Sequence, residues 1–138
     1  MAKKDCFLIS NNQDNSIEIY LSIDAYVDFG KQVLRQQSKL KKFRYIIECL
    51  YRGITNPDIY EEYKKKYLGT AAFKLNKGNT NVRIYCKYVQ NEDKTQKRIT
   101  LHKVHSKRRQ KLGNIEDGIL KAIQKQEYNY GKIDSKTI

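Results

Sequence analysis

The alternation of apolar and polar positions predicts a half-buried strand near the start of the chain. In the segment SIEIYLSI, residues 16–23, aliphatic residues occupy every second position, which is typical of a strand with one face in the core. Between residues 25 and 51 the apolar spacing changes to threes and fours and predicts helix, with Asp24 as its N-cap. The polar residues 36–38 interrupt the apolar stripe and indicate a bend, which would make this stretch a helical hairpin.

The second half of the chain is predicted to hold a short helix, three strands and a last helix. Asn56 as a cap, followed by Pro57 at the first helical position, predicts a helix over residues 57–66. Residues 71–76, 82–89 and 98–105 each alternate as strands do, with a Gly- and Asn-containing turn and a polar loop between them. Asn114 is placed to cap a helix over residues 115–127.

This order of elements predicts an α+β fold within one domain spanning residues 1–138. We expect a small, mostly antiparallel sheet of about four strands, with an N-terminal helical pair packed on one face and a C-terminal helix. Residues 1–15 are interpreted as an acidic and polar N-terminal extension, and residues 128–138 as a C-terminal tail.

Composition adds a strong and uneven positive charge. The chain has 28 Lys and Arg against 15 Asp and Glu, a net charge of +13. Residues 74–111 contain twelve basic residues and two acidic ones, whereas residues 1–30 are net acidic. Because a dense positive field attracts phosphate chains, this clustering favours a nucleic-acid partner, most simply RNA. The alternative is a general enrichment in Lys that keeps the protein in solution.

The cysteines and the apolar segments indicate a cytoplasmic protein. Cys6, Cys49 and Cys86 are an odd number without CxxC spacing, so neither a disulfide framework nor a structural zinc site is expected. No apolar run approaches the 18 residues or so that a membrane span needs. We therefore expect no membrane association, no metal and no cofactor.

The predicted strands place a set of basic side chains where they can contact RNA. Metal-free RNA cleavage needs a group that accepts and returns a proton, and cations that stabilise the charged phosphorane. The candidates for these catalytic roles are Arg83, His105, Lys74 and Lys103. The candidates for RNA binding are Lys77, Tyr85, Lys87, His102, Lys107, Arg108 and Arg109, with Tyr85 able to stack on a base.

Each of these residues also has a structural interpretation. His102 follows Leu101 on an alternating strand and can be structural or simply exposed. Arg83 can form an internal ion pair, and the run Lys107-Arg108-Arg109 can be a solvated stretch of charge. His105 is open to either interpretation, as an active-site group or as a histidine at a strand end.

The segment from Tyr67 to His105 resembles the core of the RelE/HigB superfamily of bacterial toxin–antitoxin ribonucleases. The similarity lies in YLGTAAFKLNKGNTNVRIYCKYV followed by KRITLHKVHSKRR. These segments read as a Lys-containing strand, a Gly/Asn turn, an Arg-aliphatic-Tyr strand and a strand that ends in His and basic residues. The order of elements over residues 16–127 is also similar.

This resemblance implies an endoribonuclease that enters the ribosomal A site, cuts mRNA and is held inactive by a cognate antitoxin. By motif position, Arg83 matches the transition-state arginine and Lys74 a lysine on the preceding strand. Lys103, His105, Lys107 and Arg108 fall where members place their last-strand His, Lys or Arg. The C-terminal Tyr of some members has no clear counterpart near Gly113.

Non-enzymatic functions remain open on the same scaffold. A ParE-like gyrase inhibitor, a basic DNA- or RNA-binding accessory protein of a mobile element, or a partner that only contacts ribosomal RNA would each explain the charge. A titrating group at His105 favours the ribonuclease, since a binding protein needs none there.

Overall fold

The computed structural model describes residues 2–77, 80–107 and 113–133, with the backbone alone at 76–77, 80, 107 and 131–133. The described strands are β1 (Lys4–Asn11), β2 (Ile17–Ser22), β3 (Tyr60–Glu62), β4 (Thr70–Lys77), β5 (Thr80–Gln90), β6 (Lys97–Lys107) and β7 (Tyr128–Ile133). The described α-helices are α1 (Tyr26–Phe29), α2 (Gln37–Tyr51) and α3 (Asn114–Lys125). Helix α1 is preceded by a 3-10 turn, Ile23–Ala25, and followed by a π turn, Gly30–Leu34.

The described strands form one seven-stranded mixed sheet in the order β3-β4-β5-β6-β2-β1-β7. Strand β2 is parallel to β6, and β1 is parallel to β7. The other neighbouring strands are antiparallel. A register shift between Tyr85 and Cys86 in the β5–β6 pairing marks a bulge beside His102.

Helix α2 and the helical segment before it cover one face of the sheet, which we call the α2 face. Phe43 of α2 lies at the centre of this layer, with its ring centroid 5.2 Å from Phe29 and 5.2 Å from Phe73 of β4. The strands supply aliphatic and aromatic side chains from every second position, as the alternation predicted. These include Ile19, Leu21, Leu75, Val82, Ile84, Ile99 and Leu101.

Helix α3 packs on the opposite face, which we call the α3 face. Leu120 and Ile123 of α3 are fully buried and contact Tyr85 and Ala72 of the central strands. Further along this face, Cys6, Tyr20 and Tyr128 form a separate buried cluster of β1, β2 and β7. The sheet is thus buried on both sides over β4 and β5.

The prediction of a sheet of about four strands is wrong, because three further segments pair with it. Residues 4–11, interpreted as part of an extension, form β1, and residues 128–133, interpreted as a tail, form the edge strand β7. Strand β1 has buried side chains on both faces, Cys6 on one and Phe7 and Ile9 on the other. It therefore lacks the apolar and polar alternation of a half-buried strand.

The predicted N-terminal helical pair is absent from residues 23–66, all of which the structure describes. Helix α2 is a regular helix, but the segment before it is a succession of short 3-10, α and π turns. Residues 57–66, predicted as a helix, form a turn, strand β3 and the start of a 3-10 turn at Lys65–Tyr67. Pairing of β3 with β4 has overridden the local capping signal.

The other predicted elements are confirmed. The strand at 16–23 is β2, and the strands at 71–76, 82–89 and 98–105 are β4, β5 and β6. The last helix is α3. In the part of the chain that the structure describes, no helix has both the length and the apolar character needed to cross a membrane.

The aromatic contacts of Phe43 predict a large loss of stability when its ring is removed. Phe43 is fully buried, whereas Tyr45 on the same helix is 56% exposed. Phe43→Ala is expected to lower the free energy of unfolding by about 3–5 kcal/mol, and Tyr45→Ala by about 0.5 kcal/mol or less. Urea denaturation of both variants measures the difference, and equal losses would contradict the described packing of α2.

Candidate active site

Three of the predicted catalytic residues lie in one row across the central strands. Lys74 of β4 is the register partner of Arg83 on β5, and Arg83 is the partner of His105 on β6. Directly opposite residues on neighbouring strands point to the same side of a sheet, with their Cβ atoms about 4.5–5.5 Å apart. The strand pairing therefore brings a Lys, an Arg and a His together on the α3 face. We call these three residues the cationic row.

His105 is held by a carboxylate that sequence reasoning did not select. Its Nε2 lies 3.0 Å from Oε2 of Glu116, and both side chains are mostly buried, at 19% and 10% exposure. The other carboxylate oxygen of Glu116 accepts a hydrogen bond of 2.6 Å from the backbone N–H of Gly113. The first turn of α3 thus fixes the carboxylate, and the carboxylate fixes the imidazole ring.

One sequence signal could have identified Glu116. It is an acid in the first turn of a predicted helix, where a carboxylate commonly accepts a hydrogen bond from the backbone at the helix start. That signal indicates a helix cap, however, and not a partner for His105. The pairing depends on how α3 packs against β6, which spacing along the chain does not reveal.

Arg83 is 3% exposed and lies among phenol side chains at the centre of the row. Burial raises the pKa of Tyr63 to about 12, and the nearby Arg83 guanidinium opposes this rise. Burial also raises the pKa of Tyr85, with Tyr63 adding to the rise and Arg83 again opposing it. Arg83 therefore places a positive charge within interaction distance of both hydroxyls.

Lys74, at one end of the row, is held by an ion pair. Its Nζ lies 2.7 Å from Oε1 of Glu61 on β3, and the Lys74 side chain is 13% exposed. Since Arg83 is covered, a ligand that approaches the row meets Lys74 and His105 first. The row can thus present an imidazole and an ammonium group to a phosphodiester, with the positive charge of Arg83 beneath them.

The remaining predicted residues lie elsewhere or have other partners. Tyr85 is fully buried beneath α3, so its ring would stack on a base only if α3 moved. Lys87 donates from Nζ to the carbonyls of Gln124 and Gln126, 3.2 and 2.7 Å away, at the end of α3. There its charge suits the negative pole of the helix dipole.

Lys103 and His102 lie at the bulge in β6, and neither of them is a register partner of Arg83. Lys103 is exposed and is the register partner of Tyr85. His102 hydrogen bonds through Nδ1 to the Tyr128 hydroxyl. Arg108 and Arg109 lie outside the described residues, and so do the side chains of Lys77 and Lys107.

The three cysteines are buried, and none of them is joined in a disulfide. Within residues 2–77, 80–107 and 113–133, no group of three or more His, Cys, Asp or Glu side chains is arranged to hold a metal ion.

Comparison with known proteins identifies no relative. No protein-family model, no curated protein and no solved structure matches the chain.

The environment of His102 predicts that the protein loses stability in mild acid. Burial, and to a smaller extent the charge of Lys4, lower the pKa of His102 from 6.5 to about 4. Between these values the unfolded chain binds the proton more readily than the folded protein. The contribution of neutral His102 to the free energy of unfolding is therefore fully present above about pH 6.5, and it is lost as the pH drops towards 4.

We expect the urea midpoint to decrease from pH 7 to pH 5, and His102→Asn to make this decrease smaller. The asparagine can still hydrogen bond to Tyr128 but binds no proton in this range. An unchanged decrease in the variant would show that other groups cause the acid sensitivity.

Proposed function

We propose that the protein is an endoribonuclease that cleaves mRNA without a metal ion, with the cationic row and Glu116 as its catalytic groups. The observation that supports this most directly is the His105–Glu116 pair beside Arg83 and Lys74. A histidine held by a carboxylate is a common arrangement for proton transfer. Arg and Lys supply the positive charge that a phosphorane needs.

The proposed reaction is an attack of the RNA on its own backbone. His105 accepts the proton of a ribose 2′-hydroxyl, and the 2′-oxygen then attacks the adjacent phosphorus. Lys74 stabilises the negative charge that develops on the phosphoryl oxygens, and the covered Arg83 adds positive potential from the neighbouring strand position. The imidazolium returns the proton to the departing 5′-oxygen, which leaves a 2′,3′-cyclic phosphate and a 5′-hydroxyl end. Glu116 orients the ring and stabilises its charged form.

The proposed biological role rests on the motif resemblance to RelE/HigB toxins. We propose that the protein is the toxin of a toxin–antitoxin module, that it acts on mRNA bound to the ribosome in the cytoplasm, and that a cognate antitoxin inhibits it. The net charge of +13 supports a partner rich in phosphate, such as ribosomal RNA.

A non-enzymatic binding protein is the second candidate, and the burial of the cationic row favours it. Lys74 is paired with Glu61, and Arg83 is only 3% exposed. Such contacts can stabilise the packing of α3 on the sheet without any substrate. The exposed lysines would then bind nucleic acid or another partner, as in a gyrase inhibitor.

Replacement of His105 separates these two candidates. His105→Asn keeps a polar group beside Glu116 but removes the proton-transfer group. The rate of cleavage of ribosome-bound mRNA should fall by about 10²- to 10⁴-fold, while the thermal midpoint changes little. The matched control Lys41→Ala, on the exposed side of α2, should cleave at the wild-type rate.

Expression in cells gives an independent measurement. Under the ribonuclease proposal, the wild type arrests protein synthesis and His105→Asn does not. DNA damage without translational arrest, or equal toxicity of both proteins, would favour the non-enzymatic candidate.

A further inference from the structure

A hollow of about 400 Å³ lies beside α3, on the flank that faces β1 and β6. It is lined by Lys4, His102, Gly118, Lys121, Ala122, Lys125 and Gln126. We call it the lysine pocket. It is separate from the cationic row, whose residues do not line it.

The small residues of α3 leave this space open. Gly118 and Ala122 are four positions apart and lie on the same side of the helix. A Cβ atom added at Gly118 would meet no other atom within 4 Å. The contacts around Gly118 therefore leave room for at least a methyl group, and close packing does not require glycine there.

Among the described residues that line the pocket, three are lysines and none is acidic. Two of its lysines have acidic neighbours outside the pocket. Lys4 pairs with Asp24, and the Nζ of Lys121 lies 3.2 Å from Asp117. These acids are 52% and 30% exposed and so are partly screened by water. Among the described residues, Lys125 forms no ion pair.

His102 of β6 lines the pocket on the side of the sheet. Its Nδ1 is engaged with the Tyr128 hydroxyl, a bond that does not use Nε2. Burial is the main cause of its low pKa, and the charges of Lys4 and Lys103 lower the pKa further while Asp24 opposes them. The titratable groups near His102 are Lys4, Asp24 and Lys103, the Tyr128 hydroxyl, and Lys121 and Lys125, which line the same pocket from α3.

We propose that the lysine pocket binds the phosphate group of a phosphorylated ligand. Three lysines line a hollow large enough for a phosphate and an attached sugar. Lysine is a common phosphate ligand, because its compact charge can approach a phosphate oxygen from several directions. A bound dianion would also offset the mutual repulsion of the lysines.

The position of the pocket relates it to RNA. His102 and His105 are three residues apart on β6, a separation of about 10 Å along a strand. If the proposed function holds, a backbone phosphate near the scissile one could occupy the pocket. A free phosphorylated molecule would use the same chemistry, and the two sources can be told apart by experiment.

The test uses the full-length protein and pyrophosphate as the probe. The imidazole signals of the two histidines are followed by NMR as the pH is varied, with His105→Asn to assign them. Saturating pyrophosphate should raise the pKa of His102 by about one unit, because a nearby anion favours the imidazolium. The double variant Lys121→Ala/Lys125→Ala should bind pyrophosphate about tenfold more weakly by calorimetry.

The matched control is Lys41→Ala/Arg44→Ala, which removes the same charge from exposed positions of α2 on the opposite face of the sheet. It should bind pyrophosphate like the wild type. An equal loss of binding in the control, or no change in the His102 pKa, would overturn the proposal.

A short 2′-O-methyl oligonucleotide, which has no 2′-hydroxyl to attack with, identifies the source of the phosphate. If it raises the pKa of His102 at a lower concentration than pyrophosphate does, the pocket binds RNA backbone. If pyrophosphate is the more effective, the pocket binds a free phosphorylated molecule. Neither result depends on cleavage, so a failed ribonuclease assay leaves this test intact.

Discussion

Strand β5 is buried on both faces, and the packed layers on the α2 face and the α3 face both depend on it. Val82 and Ile84 point into the aromatic and aliphatic layer beneath α2, while Arg83 and Tyr85 point towards α3. A long antiparallel register with β4 and β6 fixes these directions. A slip of one residue would exchange the two faces and place Arg83 in the apolar layer, so the register is strongly specified.

Burial of the polar and charged side chains of the cationic row requires partners for them, and two acids act as partners of Lys74 and His105. Glu61 reaches Lys74 from the edge strand β3, and Glu116 reaches His105 from the first turn of α3. Mostly buried charges are costly unless they are paired and hydrogen bonded. The same contacts that reduce this cost hold the groups in fixed positions, as a catalytic site would need. The lysine pocket differs, because no acid is among the described residues that line it, although Lys4 and Lys121 pair with Asp24 and Asp117 outside it.

Sequence periodicity predicted the elements that have one polar and one apolar face. Strands β2, β4, β5 and β6 and helix α3 were found in this way, and with them the neighbours Lys74, Arg83 and His105. It did not find β1, which has buried side chains on both faces, or β7, which pairs with β1 from the other end of the chain. The sequence signals also predicted a helix over residues 57–66, because Asn56 and Pro57 are typical of a helix start. Three residues of this segment instead pair with β4. Pairings between distant segments leave no local periodicity, and the same limit concealed Glu116.

The parallel pairing of β1 with β7 has a consequence for how the polypeptide acquires its shape. Lys4 is the register partner of Tyr128, so the contact joins segments more than a hundred residues apart. Contacts of such long range form slowly, because a large loop must close first. During synthesis, β1 emerges from the ribosome well before β7 has been translated. One of its edges must remain unpaired until nearly all of the described sequence has been translated, and in that interval it is exposed to other nascent chains.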